Sequence, residues 1–271
     1  MDRIMLKTKR LSIVPTLRCT LNCKLCSNHM PDFKNPYELS YEQITKDIDK
    51  LFELFDYIEW LQFVGGEIFM VKHMARVYDY CLKYKDKFTK LILETNATVP
   101  PREEEIEVLK KYGENCEVMI SDYGPLSRSL DLYINAFEKN GINYRLKKYW
   151  GDVVSQYYGG WIDNSKPRFL GESDEVVAEL TKDCSQVKLE NMHCFNGKLH
   201  RCANSLFTLE LGVYTPKKDD YVDLYDDTIS KDAKRDIING FYKKPRTSCY
   251  YCSWKNNINQ TEERFSAAEQ L

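Results

Sequence analysis

The chain has 271 residues, a formal net charge of −2 and 43% apolar residues. That length exceeds one average domain and allows a sizeable core. The near-neutral balance provides no basic footprint for nucleic acid or an anionic membrane surface, and no apolar run reaches the length of a membrane span.

The ten cysteines are the unusual feature, since an even count suits disulfides in a secreted protein. The opening residues, however, carry Asp2, Arg3, Lys7, Lys9 and Arg10, which interrupt any run of signal-peptide length. A reducing, cytoplasmic setting is therefore expected, where clustered thiols more often bind metal.

In chain order, residues 11–14 read as a strand stopped by Pro15, and Cys19, Cys23 and Cys26 fall in the loop that follows. Ser40 is placed to cap a helix reaching about residue 56, because Ile44, Ile48, Leu51 and Phe55 recur at helical spacing. Residues 58–64 form a second strand closed by Gly65-Gly66, 72–85 a helix, and 90–95 a third strand. Pro100-Pro101 opens a helix with Glu103, Glu104 and Glu105 in its first turn, as the helix dipole favours. Strands at 116–121 and 142–146 flank a helix at 127–140, and a sixth strand is not visible. This alternation predicts an α/β fold, a partial (β/α) barrel of five or six parallel strands.

From Trp150 the pattern breaks. Gly151, Gly159, Gly160, Pro167 and Gly171 punctuate a segment read as a connection. We expect a first domain over 1–170 and a small α+β domain over 171–271, with a hairpin at 199–211 and a helix at 229–241. Cys81 and Cys116 sit within a helix and a strand and are read as buried apolar residues. His193 and His200 are read as hairpin surface residues, and Asp219, Asp220, Asp223, Asp226 and Asp227 as a solvated face.

The chemistry lies in Cys19-x-x-x-Cys23-x-x-Cys26. Three thiolates can ligate three irons of a cubane and leave the fourth open to a small molecule. The loop follows the first strand, at the sheet edge where α/β barrels place their chemistry. In motif and position the sequence resembles the radical S-adenosylmethionine superfamily. The resemblance implies a [4Fe–4S] cluster on Cys19, Cys23 and Cys26, with S-adenosylmethionine on its open iron. It assigns Leu25 to the adenine and Gly65, Gly66 and Glu67 to the methionine amino group. Thr95, Asn96, Ser121 and Asp122, at later strand ends, fall where polar groups reach the cofactor. Structural zinc is the alternative, with His29 as the nearest fourth ligand.

Cys184, Cys202, Cys249 and Cys252 resemble the ligand set of a twitch domain, the truncated relative of the SPASM domain. That resemblance implies one auxiliary [4Fe–4S] cluster, with Cys194 able to replace Cys184, and zinc remains the rival. Length and cysteine layout resemble enzymes of the 2-deoxy-scyllo-inosamine dehydrogenase type. The implied reaction is oxidation of an alcohol on a small polyol, sugar or aminocyclitol-like substrate, with the second cluster as electron acceptor. Arg168 is the candidate to assist deprotonation, against a surface salt-bridge role. A flavodoxin or ferredoxin-type reductant is the implied protein partner, with no nucleic acid and no membrane. Radical modification of a ribosomal peptide, by epimerisation or crosslinking, and a catalytically idle iron–sulfur protein are the other readings.

Overall fold

A computed structural model of the chain describes residues 5–151, 160–164, 167–252 and 264–271. Asp2, Arg3 and Gly159 lie outside the described residues. The described strands form one sheet in the order β5-β4-β3-β2-β1-β6-β7-β8. They are β1 (Lys7–Ile13), β2 (Tyr57–Phe63), β3 (Phe88–Thr95), β4 (Cys116–Asp122), β5 (Tyr144–Lys148), β6 (Asn191–Phe195), β7 (Lys198–His200) and β8 (Tyr221–Asp223). β1 to β5 pair in parallel, and β6 adds in parallel to the free side of β1. The fold is thus the expected α/β type, dominated by parallel pairing, and β6 is the sixth parallel strand.

The helices are α1 (Tyr41–Leu54), α2 (Met74–Cys81), α3 (Glu103–Lys110), α4 (Leu130–Asn140), α5 (Asp174–Lys182), α6 (Ser185–Lys188), α7 (Ala203–Glu210) and α8 (Lys231–Asn239). Ser40 and Gln43 cap α1 reciprocally, each side chain bonding the other's backbone N–H, and satisfy two donors at its first turn. Alternation along the strands sends Leu11, Ile13, Leu61, Phe63, Leu91 and Leu93 into one core with Ile44, Ile48, Leu51 and Val77. Each such side chain contributes about 1.5–3 kcal/mol on burial. Cys81 and Cys116 lie in the same core, both fully buried.

Three expectations are corrected. The hairpin turns at Asn196-Gly197, with φ of 48° and 78°, and joins β6 to β7. Two successive positive φ angles are what a tight hairpin of this kind requires, and Asn-Gly supplies them. Residues 203–210 are therefore the helix α7, not a hairpin arm. His193 and His200 face each other across that hairpin and are buried, at 5% and 0% exposure; burial holds His193 down to about 4 and His200 to about 3. Asp220 is buried as well, accepting the backbone N–H of Lys217 and Thr247 at 2.6 and 3.0 Å.

The expected boundary at residue 170 falls between β5 and α5, and the sheet continues past it through the β1–β6 pairing. α8 is tied to the first half by Arg235, which donates to Leu54 O and Asp56 Oδ2, both at 2.6 Å. Among the described residues no helix is long and apolar enough to cross a membrane.

Candidate functional site

Two backbone segments meet after β1 and β2. Gly66 N donates to Thr16 O at 3.1 Å and Glu67 N to Arg18 O at 2.9 Å, so the Gly-Gly-Glu turn is stitched to the residues just ahead of Cys19. A side chain has no room there. A Cβ on Gly66 would fall 1.9 Å from Arg18 O, and Gly65, at φ +135°, would meet Thr16 O and Val14 at 2.8 Å. Both glycines are thus demanded by close backbone approach. Asn28, beyond the third cysteine, donates to Gly65 O at 3.0 Å and closes the loop back onto the turn.

Glu67 is fully buried, and its carboxylate serves the fold. It accepts the N–H of Phe69 at 3.1 Å, the Thr95 hydroxyl at 2.9 Å and the N–H of Asn96 at 2.8 Å. Burial still pushes it up to about 7 against those bonds. Asn96, fixed in this way, extends its amide to Cys19 Sγ at 3.5 Å and Thr20 Oγ1 at 3.3 Å. At the end of β4, Asp122 caps its own turn by accepting Gly124 N at 2.8 Å, and the Ser121 carbonyl accepts the Ser127 hydroxyl. Leu25 is buried in the cysteine loop.

The three thiols of that loop lie near enough to raise one another's pKa, Cys19 by Cys26, Cys23 by Cys19 and Cys26 by Cys23. Burial is the larger cause, and it pushes Cys19 and Cys26 up to about 11. Thiols so buried are neutral unless a metal takes the proton's place. Among the described residues no three His, Cys, Asp or Glu side chains converge on one point for a single ion. A cubane asks for something different, one thiolate at each of three corners, and the donor set of this loop fits that demand. His29 Nδ1 lies 3.3 Å from Asp32 Oδ2.

The other cysteines separate into two groups. Cys184, Cys202, Cys249 and Cys252 line one cavity of about 470 Å³, a volume suited to a small organic molecule. Cys194, on β6, is instead fully buried in the apolar core, against Asp47 of α1. Burial pushes Cys202 up to about 12. Beside these thiols the buried Arg201 donates to Cys249 Sγ at 3.2 Å. Burial alone would lower the Arg201 pKa, but Cys249, Cys202 and Cys184 together hold it above its ordinary value.

The floor of the cavity is the sheet face turned away from α1 and α2. Arg10 and Ser12 of β1, Gln62 of β2, Glu94 of β3, and Asn191 and His193 of β6 supply it. Ser12 joins neighbouring strands, reaching Gln62 Oε1 at 3.4 Å and Asn191 Oδ1 at 3.1 Å. These residues were missed in the sequence, although alternate strand positions place them on one face. Ser27 and Asn28 bring the first cysteine loop to the same cavity. Arg168 is exposed, on the segment before α5, and does not line it.

Residues 13–121 match the Radical SAM superfamily, a span taking in the Cys19–Cys26 loop, the Gly-Gly-Glu turn and most of β4. The resemblance drawn from those motifs is borne out by this match. Among solved structures, the chain is similar in fold to BtrN in complex with AdoMet and 2-DOIA, with 14% identity and a TM-score of 0.59 over 100% of this chain and 98% of that one. It is also similar to histidine-tagged anSMEcpe with bound AdoMet, with 14% identity and a TM-score of 0.55 over 95% and 88% of the two chains. Native anSMEcpe with bound AdoMet and Cp18Cys peptide gives 12% identity and a TM-score of 0.51 over 95% and 92%. No curated protein matches the chain.

Proposed function

We propose that this protein is a radical S-adenosylmethionine enzyme that oxidises an alcohol on a small polyol, sugar or aminocyclitol-like substrate. The observation that carries the reading is the cavity. It is walled on one side by Ser27 and Asn28 of the first cysteine loop and on another by Cys184, Cys202, Cys249 and Cys252. A molecule held there touches the segment that directly follows Cys26 and shares the cavity with the four far thiols. When bound, a [4Fe–4S] cluster and S-adenosylmethionine supply the 5′-deoxyadenosyl radical that removes a substrate hydrogen atom, and a second [4Fe–4S] cluster accepts the electron left behind.

Cys19, Cys23 and Cys26 hold the first cluster in this reading, and Cys184, Cys202, Cys249 and Cys252 the second. Leu25, Gly65, Gly66, Thr95, Asn96, Ser121 and Asp122 surround S-adenosylmethionine. Glu67 acts through Asn96 and the Gly-Gly turn, because its carboxylate is already engaged. The polar floor suits hydroxyl-rich substrates, since Ser12, Gln62, Asn191 and His193 offer both donors and acceptors. His193, buried and neutral, offers a ring nitrogen to hydrogen-bond a substrate hydroxyl, and Arg168 remains the candidate to assist deprotonation. A flavodoxin or ferredoxin-type protein supplies the reducing electron.

Peptide modification is the second reading, favoured by the likeness in fold to peptide-bound anSMEcpe. The reconstituted, reduced full chain mixed anaerobically with S-adenosylmethionine tests both. Formation of 5′-deoxyadenosine is expected, raised by polyols and not by peptides. Its absence under a strong reductant overturns both readings, and stimulation by peptides alone selects the second. A Cys249→Ala, Cys252→Ala double variant should keep one cluster's iron and lose the other's.

A further inference from the structure

Arg201 follows β7 and directly precedes Cys202. Its side chain is 2% exposed. One guanidinium nitrogen donates to Cys249 Sγ at 3.2 Å and to Lys244 O at 3.3 Å. The Tyr242 hydroxyl holds the Arg201 carbonyl at 2.8 Å, and the Tyr242 ring lies 5.6 Å from the guanidinium. Among the described residues no carboxylate stands within ion-pair distance of it. Its neighbour Arg246, by contrast, has Asp219 at 4.0 Å. A buried cation without an anion is strongly disfavoured, so the site as folded calls for negative charge among Cys184, Cys202, Cys249 and Cys252.

A cubane held by four thiolates carries net negative charge, and that charge grows when the cluster is reduced. A fixed cation at one of its sulfurs therefore favours the reduced state and raises the potential. The first cysteine loop is treated differently. Its thiols receive neutral amide donors, Asn96 Nδ2 to Cys19 at 3.5 Å and Gln270 Nε2 to Cys23 at 3.4 Å. Charged donors act more strongly than neutral ones.

We infer that Arg201 is the positioning charge that raises the potential of the auxiliary cluster and so favours passage of the electron from the substrate towards it. This rests on the two-cluster reading above. The contrast lies in donor type: a guanidinium at Cys249, carboxamides at Cys19 and Cys23.

The test is a redox titration of the reconstituted full chain followed by electron paramagnetic resonance, with S-adenosylmethionine added to mark the first cluster's signal. Arg201→Gln and Arg201→Lys are compared with the wild type, and iron and sulfide are counted in each. Arg201→Gln should move the auxiliary midpoint to more negative potential and leave the first cluster's midpoint unchanged. Arg201→Lys should restore most of the difference. An unchanged auxiliary midpoint in Arg201→Gln overturns the inference, as does an equal shift in Arg201→Lys. Loss of the second cluster from Arg201→Gln with retention in Arg201→Lys supports it, and loss from both overturns it. A wild-type chain that holds one cluster's iron defeats the two-cluster reading itself, and iron counting reveals that before any potential is measured.

Discussion

Gln270 Nε2 donates to Cys23 Sγ across 3.4 Å, joining residues near opposite ends of the sequence. The contact belongs to a short antiparallel patch. Lys24 N donates to Glu269 O at 2.8 Å, Leu271 N to Asn22 O at 2.9 Å, and Asn22 N to Gln270 Oε1 at 2.8 Å. Gln270→Leu removes two of these bonds at a cost of about 1–3 kcal/mol. On the two-cluster reading, the first cluster of the reconstituted variant should bleach faster in air than in the wild type, while the second keeps its rate. Visible absorbance after exposure to oxygen measures both.

Gly66→Ala forces a methyl group into the space of Arg18 O. Neither partner is a flexible side chain, so the turn and the cysteine loop must separate. Overpacking of this kind costs about 1–3 kcal/mol. The variant should lose iron from the first cluster before the second, as metal analysis of the folded protein would record.

Glu67→Gln places an amide NH2 where only acceptors fit. The N–H groups of Phe69 and Asn96 and the Thr95 hydroxyl all point at the carboxylate, so one donor at least is left facing another. A loss of about 1–3 kcal/mol is expected in urea unfolding. S-adenosylmethionine affinity should fall as well, because Asn96 takes its place from this carboxylate, and equilibrium binding to the reconstituted protein reads that effect.

Asp47 predicts a pH effect. It is buried on α1, and desolvation pushes it up to about 6 although the Tyr225 hydroxyl donates to it at 2.5 Å and Lys46 lies nearby. The fold therefore favours its protonated form. Its stabilising contribution is complete below the ordinary value of 3.8 and is lost as pH rises through about 6. Asp47→Asn removes this dependence, so the stability difference between variant and wild type should change by up to about 3 kcal/mol across that window. Urea midpoints taken at intervals from pH 4 to pH 7 show the change, and parallel curves would refute it.

The parts of this protein that sequence reveals are those whose pattern has one physical meaning. The short run Leu91-Ile92-Leu93, set between helical patterns, reads as a strand buried on both faces, and three thiols at the Cys19–Cys26 spacing after the first strand favour a cubane over zinc. The polar floor was harder to see. Arg10, Ser12, Gln62 and Glu94 alternate with core residues, a pattern shared with any strand that has a wet face. Only the cover provided by α5, α6 and the C-terminal cysteines turns that face into a cavity. The hairpin at Asn196-Gly197 was legible in its turn residues, yet the apolar stretch that follows, Leu206, Phe207, Leu209 and Leu211, drew the expected strand too far along the chain.

The pairing of β6 with β1 has a practical consequence for dissection of this protein. A fragment ending near residue 170 would keep the first cysteine loop but bare the backbone edge of β1 from Arg10 to Ile13, the residues that β6 covers. Exposed edges of this kind recruit other strands and drive self-association. The half that carries the Cys19–Cys26 loop is thus kept from sticking to its own copies by the half that carries Cys184, Cys202, Cys249 and Cys252.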